Sequence, residues 1–535
     1  MKKPLVLNIS PEDVQRVPDG WQYARQRDFT GGENLAKLPE LVKRNQFIKM
    51  ENAIISPEGQ VTDCWQMDTL AMQNTVGIGG LVLSAPGSDG QFTFWHSNVT
   101  EPSGGAVRSG TMTMDGTADA NVGTVVGITG AQIAGLSYAV SYLGKHYCCN
   151  DSGGVLNLTN SLKILNGALV GRIPLKLKAY ANRLWAVCSG GQLVFSNNGD
   201  ATTWDAGNII LLPNQEPIID FIPVQGGAIV YSHTSAYAFY GTGVYQDTSI
   251  ILIRDNVALS AGAVLVDDSI YVVGNRGMNQ IALNGFKELP HNQDAFFAAN
   301  AAVWNALTTF GTLQLETVQA VYLSKFHAIL YLMTAGSATQ GFLYYVGANS
   351  YAKINQTISY SGVRGPFLLP ISDGSTDFIV RMASGICKSV YPSGALATAR
   401  PSIIQTRFED ADSTREKIWR HLCLTMDAGA YNAIISVFLD YSETPVSVRA
   451  GILDLAQGEN TIELFDSNGG AIRGKAISVR IELNTLSNLS YLIGTEGQAL
   501  CGPDGALLTA ISMPAPSSFK FREIRIKYCE VGAPK

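Results

Sequence analysis

The stretch LWAVCSGGQLVF, residues 184–195, carries the pattern that decides the fold. A short apolar run is followed by a turn with two glycines and then by a second apolar run that ends in an aromatic residue. Two short runs of β-forming residues on either side of a glycine turn predict an antiparallel hairpin. The same arrangement returns in residues 228–239, 269–281 and 328–345. The chain therefore repeats one strand–turn–strand unit.

The spacing of these repeats indicates the class of fold. Their first strands step by 45, 41 and 59 residues, from Trp185 to Val230, Tyr271 and Leu330. Four-stranded antiparallel units at periods of roughly 40–50 residues are typical of propeller blades. A predicted helix over residues 292–307 explains the longest step. We expect a mainly β protein with few short helices, built on a propeller of roughly five to seven blades; a β-sandwich with irregular strands is the alternative that the pattern leaves open.

The strand pattern of the sequence changes after Pro401. Three further strand candidates follow, at residues 433–439, 477–483 and 519–528. We expect residues 398–535 to form an antiparallel β-sandwich docking (platform) domain and residues 61–397 to form the propeller. Residues 1–60 are expected to be an N-terminal arm that closes the propeller and platform by pairing with a late strand, because the exposed edges of the first and last blades need partners.

A long segment near residues 80–130 differs from the repeats. Glycine, serine, threonine and asparagine dominate it, and charged residues are sparse. Such a composition predicts turns and loops better than strands. We therefore expect a Gly/Thr-rich insertion in the propeller, a long hairpin or exposed loop that contributes little to the core.

The composition narrows the possible functions. Of 535 residues only 15% are charged, and the net charge is −6, which argues against a basic protein that neutralises many phosphates. No apolar run approaches the roughly 18 residues of a membrane span, and the first residues lack the apolar region of a signal peptide, so we expect no membrane anchor. Eight cysteines without a CxxC pair lie mostly in apolar runs, which predicts buried free thiols in a reducing cytoplasm.

Catalytic motifs are absent or broken in the sequence. No GxSxG surrounds a serine and no HExxH occurs. Residues 469–475 approach a phosphate-binding loop, but Ala476 stands where Mg²⁺ needs a hydroxyl and a strand is predicted to follow instead of a helix. The six histidines share no ligand spacing, and the acidic turns at Asp410 and Asp466 do not complete a calcium loop. We assign no catalytic, cofactor-binding or metal-binding residue, expect no cofactor, and expect that the protein is not an enzyme.

One turn has a more specific pattern. Residues 196–204, SNNGDATTW, resemble the Asp-box of sialidase propellers, with the aspartate and glycine transposed and one residue added. The Asp-box is a structural hairpin even in glycosidases. Catalysis would also require paired carboxylates, or a tyrosine nucleophile with several arginines.

A set of segments resembles one family when the segments are taken in order. They are residues 31–35 (GGENL) with Pro39, Leu41, Asn45 and Asn52, residues 180–185 (YANRLW), 193–197 (LVFSN) with Trp204, residues 217–231, residues 273–281 (VGNRGMNQI) and residues 417–420 (KIWR). They are spread over residues 31–420 of the chain. They resemble the opening, the successive blades and the docking strand of tail nozzle proteins (tail tubular protein B-like, or tail hub, proteins) of short-tailed bacteriophages.

The resemblance implies a structural virion protein made in the host cytoplasm and placed in the virion tail. In that family six copies form a homo-hexameric ring with a central channel below the tail adaptor and portal complex. The channel retains the packaged genome and conducts double-stranded DNA during ejection without sequence specificity, and tail fibres or spikes are further partners.

Two other functions stay open at this point. One is a propeller-based glycan-binding or glycan-degrading tail protein, which requires carboxylates that converge on the propeller axis. The other is a free cellular propeller that acts as a scaffold. The state of assembly separates the three, because a ring, a trimeric spike and a monomer differ in mass.

Overall fold

A computed structural model of the chain describes residues 22–27, 29, 46–56, 58–69, 78–85, 91–98, 107–112, 125–126, 133, 135–274, 277–289, 318–335, 338–348, 350–354, 368–371, 377–382, 385–390, 402–411, 413–428, 430–446, 453–466, 468–483 and 520–531. Regular structure within these residues is almost all β-strand. Ten described strands precede the repeats: β1 (Gln22–Gln26), β2 (Phe47–Glu51), β3 (Ala53–Ile55), β4 (Val61–Asp63), β5 (Gln66–Thr69), β6 (Ile78–Leu83), β7 (Phe92–Asn98), β8 (Val107–Met112), β9 (Val125–Val126) and β10 (Gly135–Tyr138).

Six four-stranded antiparallel blades follow, and they confirm the expected mainly β propeller. Blade 1 comprises β11 (Val140–Tyr142), β12 (Lys145–Cys149), β13 (Val155–Asn157) and β14 (Leu162–Ile164). Blade 2 comprises β15 (Pro174–Tyr180), β16 (Arg183–Cys188), β17 (Gln192–Phe195) and β18 (Ile209–Ile210). Blade 3 comprises β19 (Asp220–Val224), β20 (Gly227–Tyr231), β21 (Ala236–Tyr240) and β22 (Ser249–Arg254).

The later blades have the same construction. Blade 4 comprises β23 (Ala263–Val266), β24 (Ser269–Gly274), β25 (Gly277–Ala282) and β26 (Gly285–Glu288). Blade 5 comprises β27 (Gln319–Leu323), β28 (Ala328–Ala335), β29 (Ala338–Tyr345) and β30 (Ser350–Ile354). Blade 6 comprises β31 (Leu368–Pro370), β32 (Phe378–Met382), β33 (Gly385–Val390) and the early strand β5. The helix expected over residues 292–307 lies outside the described residues.

The hairpins form because their turns hold residues with positive φ. Ala181 and Asn182, at φ 46° and 54°, form the two-residue turn between β15 and β16, where Tyr180 pairs with Arg183. Two consecutive positive φ angles define the type I′ turn, whose twist matches that of the flanking strands. The decisive stretch, residues 184–195, forms β16 and β17, the two middle strands of blade 2.

Neighbouring blades are held together by apolar side chains that alternate along their strands. Leu184 and Val194 of blade 2 share a core with Tyr147 and Val155 of blade 1. Equivalent clusters lie between blades 2 and 3, 3 and 4, 4 and 5, and 5 and 6. Each blade is thus buried on both faces, which explains why the middle strands are nearly continuous apolar runs.

An early strand completes blade 6. Strand β5 pairs antiparallel with β33, with Met67 opposite Ser389 and Gln66 opposite Val390. The closing strand lies at residues 66–69, just beyond the arm of residues 1–60 in which we expected it. Pairing of the two chain ends of the ring supplies hydrogen-bond partners to an edge that would otherwise be exposed.

Where the structure describes residues 80–130, the expectation of an exposed loop is wrong. Strands β6 to β9, with β10, form a five-stranded sheet in the order β10-β6-β7-β8-β9 that lies between blade 6 and blade 1. Leu83 and Phe94 pack on blade 6, and Val82 and Trp95 pack on blade 1. The apolar residues are few and stand in short runs whose successive members face blade 6 and blade 1 in turn, so the overall composition concealed them.

Glycine in this sheet is required by close packing. A Cβ on Gly80 would lie 2.4 Å from the carbonyl oxygen of Ile133, so only glycine allows the segment that leads into β10 to approach β6 this closely.

The remaining strands form the two-sheet unit that we call the platform. They are β34 (Ser402–Thr406), β35 (Lys417–Ala428), β36 (Ala430–Leu439), β37 (Leu453–Leu455), β38 (Gly458–Glu463), β39 (Ile472–Gly474), β40 (Ile477–Leu483) and β41 (Lys520–Glu530). One sheet has the path β3-β4-β41-β35-β38, with β1 beside β41 and β39 beside β35. The other is a nine-stranded sheet in the order β27-β28-β29-β30-β2-β34-β40-β36-β37.

The nine-stranded sheet joins the propeller to the platform. Strand β2 pairs in parallel with β30, the outer strand of blade 5, and antiparallel with β34. Apolar residues of blade 5, such as Leu330 and Leu343, belong to the same buried cluster as Leu422 of β35 and Val479 of β40. Strands from residues 1–63 therefore complete sheets that we expected residues 398–535 to form alone.

Proline at Met67 and Asp68 together should open the propeller. Proline lacks the N–H that a sheet ladder needs, and two adjacent positions include one that faces β33. We expect a loss of about 1–3 kcal/mol in the free energy of unfolding, measured by denaturant titration. The matched Met67→Ala/Asp68→Ala variant keeps both N–H groups, and an equal loss in that variant would contradict the closure.

Candidate functional site

The Asp-box-like segment 196–204 folds on itself between β17 and β18. The Asp200 carboxylate accepts hydrogen bonds from the backbone N–H of Thr202 at 2.7 Å and from its hydroxyl at 2.6 Å. These hydrogen bonds, that from the Thr202 hydroxyl above all, lower the pKa of Asp200. Ser196 Oγ accepts the N–H of Leu184 at 3.0 Å and so fastens the turn to β16.

The end of the segment is anchored in the core between blades 1 and 2. Trp204 is buried, and its indole Nε1–H donates to the carbonyl of Ala201 at 3.0 Å. Its backbone N–H donates to Asn166 Oδ1 at 3.0 Å. The Asp200 carboxylate is thus engaged within the turn, and the arrangement serves as a structural pin between two blades.

An ion pair connects the inner strands of blades 2 and 3. Lys176 of β15 donates to Asp220 of β19 at 2.6 Å and to the carbonyl of Ala261 at 3.3 Å. Asp220 is buried and also accepts the N–H of Phe221 at 2.8 Å. Removing either charge would leave the other in a poorly solvated place, so the pair fixes the spacing of these two strands.

A cleft lies where β1 and β41 of one platform sheet approach β34 of the other. Its cavity volume is only about 20 Å³, and it is lined mainly by Arg25, Gln26, Arg407, Glu409 and Ile526. Arg407 Nη2 lies 2.7 Å from Glu409 Oε2. The cleft therefore holds charges of both signs that already satisfy one another.

The charged groups beside this cleft form a network within one platform sheet. Glu523 of β41 lies 3.7 Å from Arg25 Nε, 3.0 Å from Arg27 Nε and 4.0 Å from Arg525 Nε. Arg525 also pairs with Glu459 at 2.5 Å. The network ties β1, near the start of the chain, to β41, near its end. Because each carboxylate faces a guanidinium, the network stabilises the contact between these strands.

The sequence that approached a phosphate loop has another role. Residues 472–474 within it form β39. The segment is followed by strand β40 and not by a helix, as the sequence predicted. The backbone N–H groups of Lys475 and Ala476 donate to Asp440 Oδ1 at 2.6 and 3.0 Å. The donors that a phosphate would need are therefore occupied by an aspartate of this chain.

A buried lysine lies next to this turn. Lys417 is fully buried and donates to the carbonyls of Ser413, Arg415 and Lys475 at 2.6, 3.0 and 3.0 Å. Burial lowers its pKa, although Glu530 and other carboxylates oppose that effect. Three carbonyls satisfy the three ammonium protons, so Lys417 fastens the loop before β35 to the turn after β39.

The cysteines and histidines do not assemble into a centre among the described residues. Six cysteines are buried free thiols and Cys529 is half-buried, which confirms the expected free thiols at these positions. Burial raises the pKa of Cys149 and of Cys188 to about 12. No three His, Cys, Asp or Glu side chains of the described residues converge as metal ligands would.

His421 is the histidine with a distinct environment. It lies on β35, with Nε2 3.7 Å from Glu463 Oε1. Burial lowers its pKa most, Lys527 and Arg420 lower it further, and Glu463 opposes them. A neutral imidazole is therefore favoured in the folded platform.

Two features were missed in the sequence. The first is the ion pair of Lys176 and Asp220, which are 44 residues apart. Both residues lie on the first strand of their blade, and opposite charges on the first strands of successive blades were the available signal. The run SIILIR of β22 has four consecutive apolar residues between polar ends, and its exposure follows only from its place as the outer strand of blade 3.

Comparisons with known proteins add fold-level likenesses only. No family model matches, and no curated protein matches. The chain is similar to a structure of YCF48 bound to D1 peptide, at 11% identity and TM-score 0.37, over 63% of this chain and 97% of that one. It is similar to PorZ of Porphyromonas gingivalis, at 10% identity and TM-score 0.35, over 75% and 58%.

A third likeness is to an exo-beta-1,3-galactanase of Phanerochaete chrysosporium, at 9% identity and TM-score 0.28, over 89% and 100%. Scores this low transfer no ligand and no activity to this chain. In the part of the chain that the structure describes, no helix has the length and apolarity of a membrane span.

Replacing Asp200 by alanine should destabilise blade 2 without altering its fold. The variant loses two charge-assisted hydrogen bonds at an exposed turn, so we expect a cost of about 1–2 kcal/mol in the free energy of unfolding. Asp200→Asn retains an acceptor and serves as the matched control. A structural pin predicts that the asparagine variant recovers most of the loss; equal losses in the two variants would contradict it.

The platform should lose stability as the pH falls. Folding lowers the pKa of His421, so as the pH falls the unfolded chain binds the proton before the folded chain does. The contribution of His421 to the free energy of unfolding is therefore lost as the pH falls below the ordinary value of about 6.5 and through the folded pKa. The melting temperature between pH 7.5 and 5.5 should fall less in His421→Gln than in the parent. His146→Gln, on an exposed hairpin of blade 1, is the control and should leave the difference unchanged.

Proposed function

We propose that this chain is a structural subunit of the tail of a short-tailed bacteriophage. Six copies would form the tail nozzle, a ring whose channel retains the packaged double-stranded DNA and conducts it during ejection. The adaptor and portal complex would lie above the ring, and fibres or spikes at its periphery. The proposal includes no catalytic step and no cofactor.

The observation that carries the proposal is the nine-stranded sheet. Because β2 pairs with both β30 and β34, blade 5 and the platform share one ladder of backbone hydrogen bonds. A closed ring needs subunits that present two different complementary faces at a fixed angle. A propeller and a platform joined by one sheet and one core provide two such faces with little freedom between them.

The order of the family-like segments supports the same assignment. Residues 180–197 lie in blade 2, residues 217–231 in and before blade 3, and the described part of residues 273–281 in blade 4. Residues 417–420 begin β35, the central strand of a platform sheet. Motifs that resemble successive blades and a docking strand thus occupy successive blades and a platform strand of this chain.

The charges suit a channel that lets DNA pass. The chain carries a net charge of −6, and Arg27 and Arg525 beside the platform cleft face carboxylates within the same subunit. A protein that grips DNA releases counterions by exposing many cations to phosphates. With 38 basic against 44 acidic residues in the chain, contacts with moving DNA would be weak and independent of sequence.

The assembly state tests this function. We expect purified full-length protein, alone or with the adaptor of its tail, to form rings of six 57.3 kDa chains, seen by mass photometry and electron microscopy as particles with an open centre. Trimeric spikes, or monomers that stay monomeric with the adaptor present, would contradict the nozzle.

Activity and DNA retention provide the second measurement. A nozzle should release no sugar from bacterial surface polymers and should not retard double-stranded DNA at 150 mM salt, where roughly 10⁻⁴–10⁻⁶ M dissociation constants mark nonspecific binding. Sugar release that a single Asp or Glu variant abolishes would favour the glycan-degrading alternative instead.

A further inference from the structure

The first strands of successive blades lie side by side and form the inner ring of the propeller. Strand β15 contacts β11 and β19, and strand β27 contacts β23 and β31. Strands β19 and β23, the first strands of blades 3 and 4, approach each other less closely than any of these pairs. The inner ring is therefore loosest at the junction between these two blades, which we call the 3–4 seam.

Farther from the inner ring, the 3–4 seam is held by apolar packing and by one weak ion pair. Ile229 of blade 3 and Val272 of blade 4 belong to one buried cluster. At the outer strands, Arg254 Nη2 lies 4.0 Å from Glu288 Oε1, and both side chains are about half exposed. Because solvent screens an exposed pair of this kind, it contributes little to stability.

At the inner ring the Lys176 ammonium contacts both sides of the seam. Lys176 stands on β15 of blade 2 and donates to Asp220 Oδ2 of blade 3 at 2.6 Å. It also donates, at 3.3 Å, to the carbonyl of Ala261, in the segment that leads into β23 of blade 4. The hydroxyl of Tyr231 in blade 3 donates to the same carbonyl at 3.4 Å. One side chain of blade 2 thus joins two blades whose own first strands lie apart.

The accepting carbonyl of Ala261 is fixed by the blades around it. The N–H of Ser260, one residue earlier, donates to the carbonyl of Val273 in blade 4 at 3.0 Å. A Cβ on Gly262, one residue later, would lie 3.0 Å from the carbonyl oxygen of Val318, so the segment rests on the start of blade 5. An acceptor that is ordered in advance loses little entropy when the ammonium binds it.

We propose that Lys176 is a strap that closes the inner ring of the propeller at the 3–4 seam. Strand β23 has β24 as its one ladder partner in the sheet of blade 4, and the strap ties its entry to blades 2 and 3. Without the ammonium, β23 opens from β24 more often. The strap acts within one subunit, so it goes beyond the proposed ring of six and does not depend on it.

Hydrogen exchange of the full-length protein, measured by mass spectrometry, tests the strap. Lys176→Met keeps the length of the side chain and removes the ammonium. We expect the amides of β23 (Ala263–Val266) to exchange at least about tenfold faster than in the parent, because local opening exposes them. Lys178→Met, two residues along the same strand, is the matched control, since Lys178 forms no hydrogen bond or ion pair with the described residues. It should leave the exchange of β23 unchanged.

A double variant separates the strap from the ion pair between blades 2 and 3. Lys176→Met alone leaves the Asp220 carboxylate buried without its partner, which destabilises β19 as well. Lys176→Met/Asp220→Asn carries neither charge and keeps an acceptor for the N–H of Phe221. In this variant β19 should regain its protection, whereas β23 should still exchange at least about tenfold faster than in the parent. Exchange of β23 at the parent rate, or an equal rise in Lys178→Met, would overturn the proposal.

Discussion

Burial of the two platform sheets against one another is the constraint on which the rest of the molecule depends. Ile481 of β40 and Leu424 of β35 lie in the same core, and so do Leu330 of blade 5 and Phe378 of blade 6. Apolar surface removed from water is the main favourable term in folding. Because this core is common to the platform and to blades 5 and 6, neither of these parts can bury its apolar face without the other.

The polar groups of the platform are arranged to preserve that core. Lys417 donates to three carbonyls where it is fully buried, and Trp419 Nε1–H, two residues later, donates to the carbonyl of Gly474 at 3.1 Å. A buried ammonium without such partners would cost several kcal/mol. Both residues fall in the segment that resembles a docking strand, and both fix β35 against the β39 turn.

The fold was more readable from the sequence than the surfaces. Hairpins such as residues 184–195 can be predicted from the sequence, because the strand period, the aromatic residues and the glycine turn lie within a dozen positions. The sheet formed by β6 to β10 was missed because Leu81 to Leu83 and Phe92 to Trp95 are short apolar islands in a segment of small polar residues. The extent of the platform was missed because pairings such as β1 with β41 join residues about 500 positions apart, and no local pattern specifies them.

Those distant pairings also set an order in which the protein can be made. Strand β2 emerges from the ribosome about 350 residues before its partner β34, and β1 about 500 residues before β41. At roughly 5–20 residues per second, β1 waits about 25–100 s for its neighbour. Blades 1 to 4, whose strands pair within some 40 residues, can form during that interval. The platform therefore assembles after blades 1 to 4, and the early strands β1 and β2 are among the last to find their place.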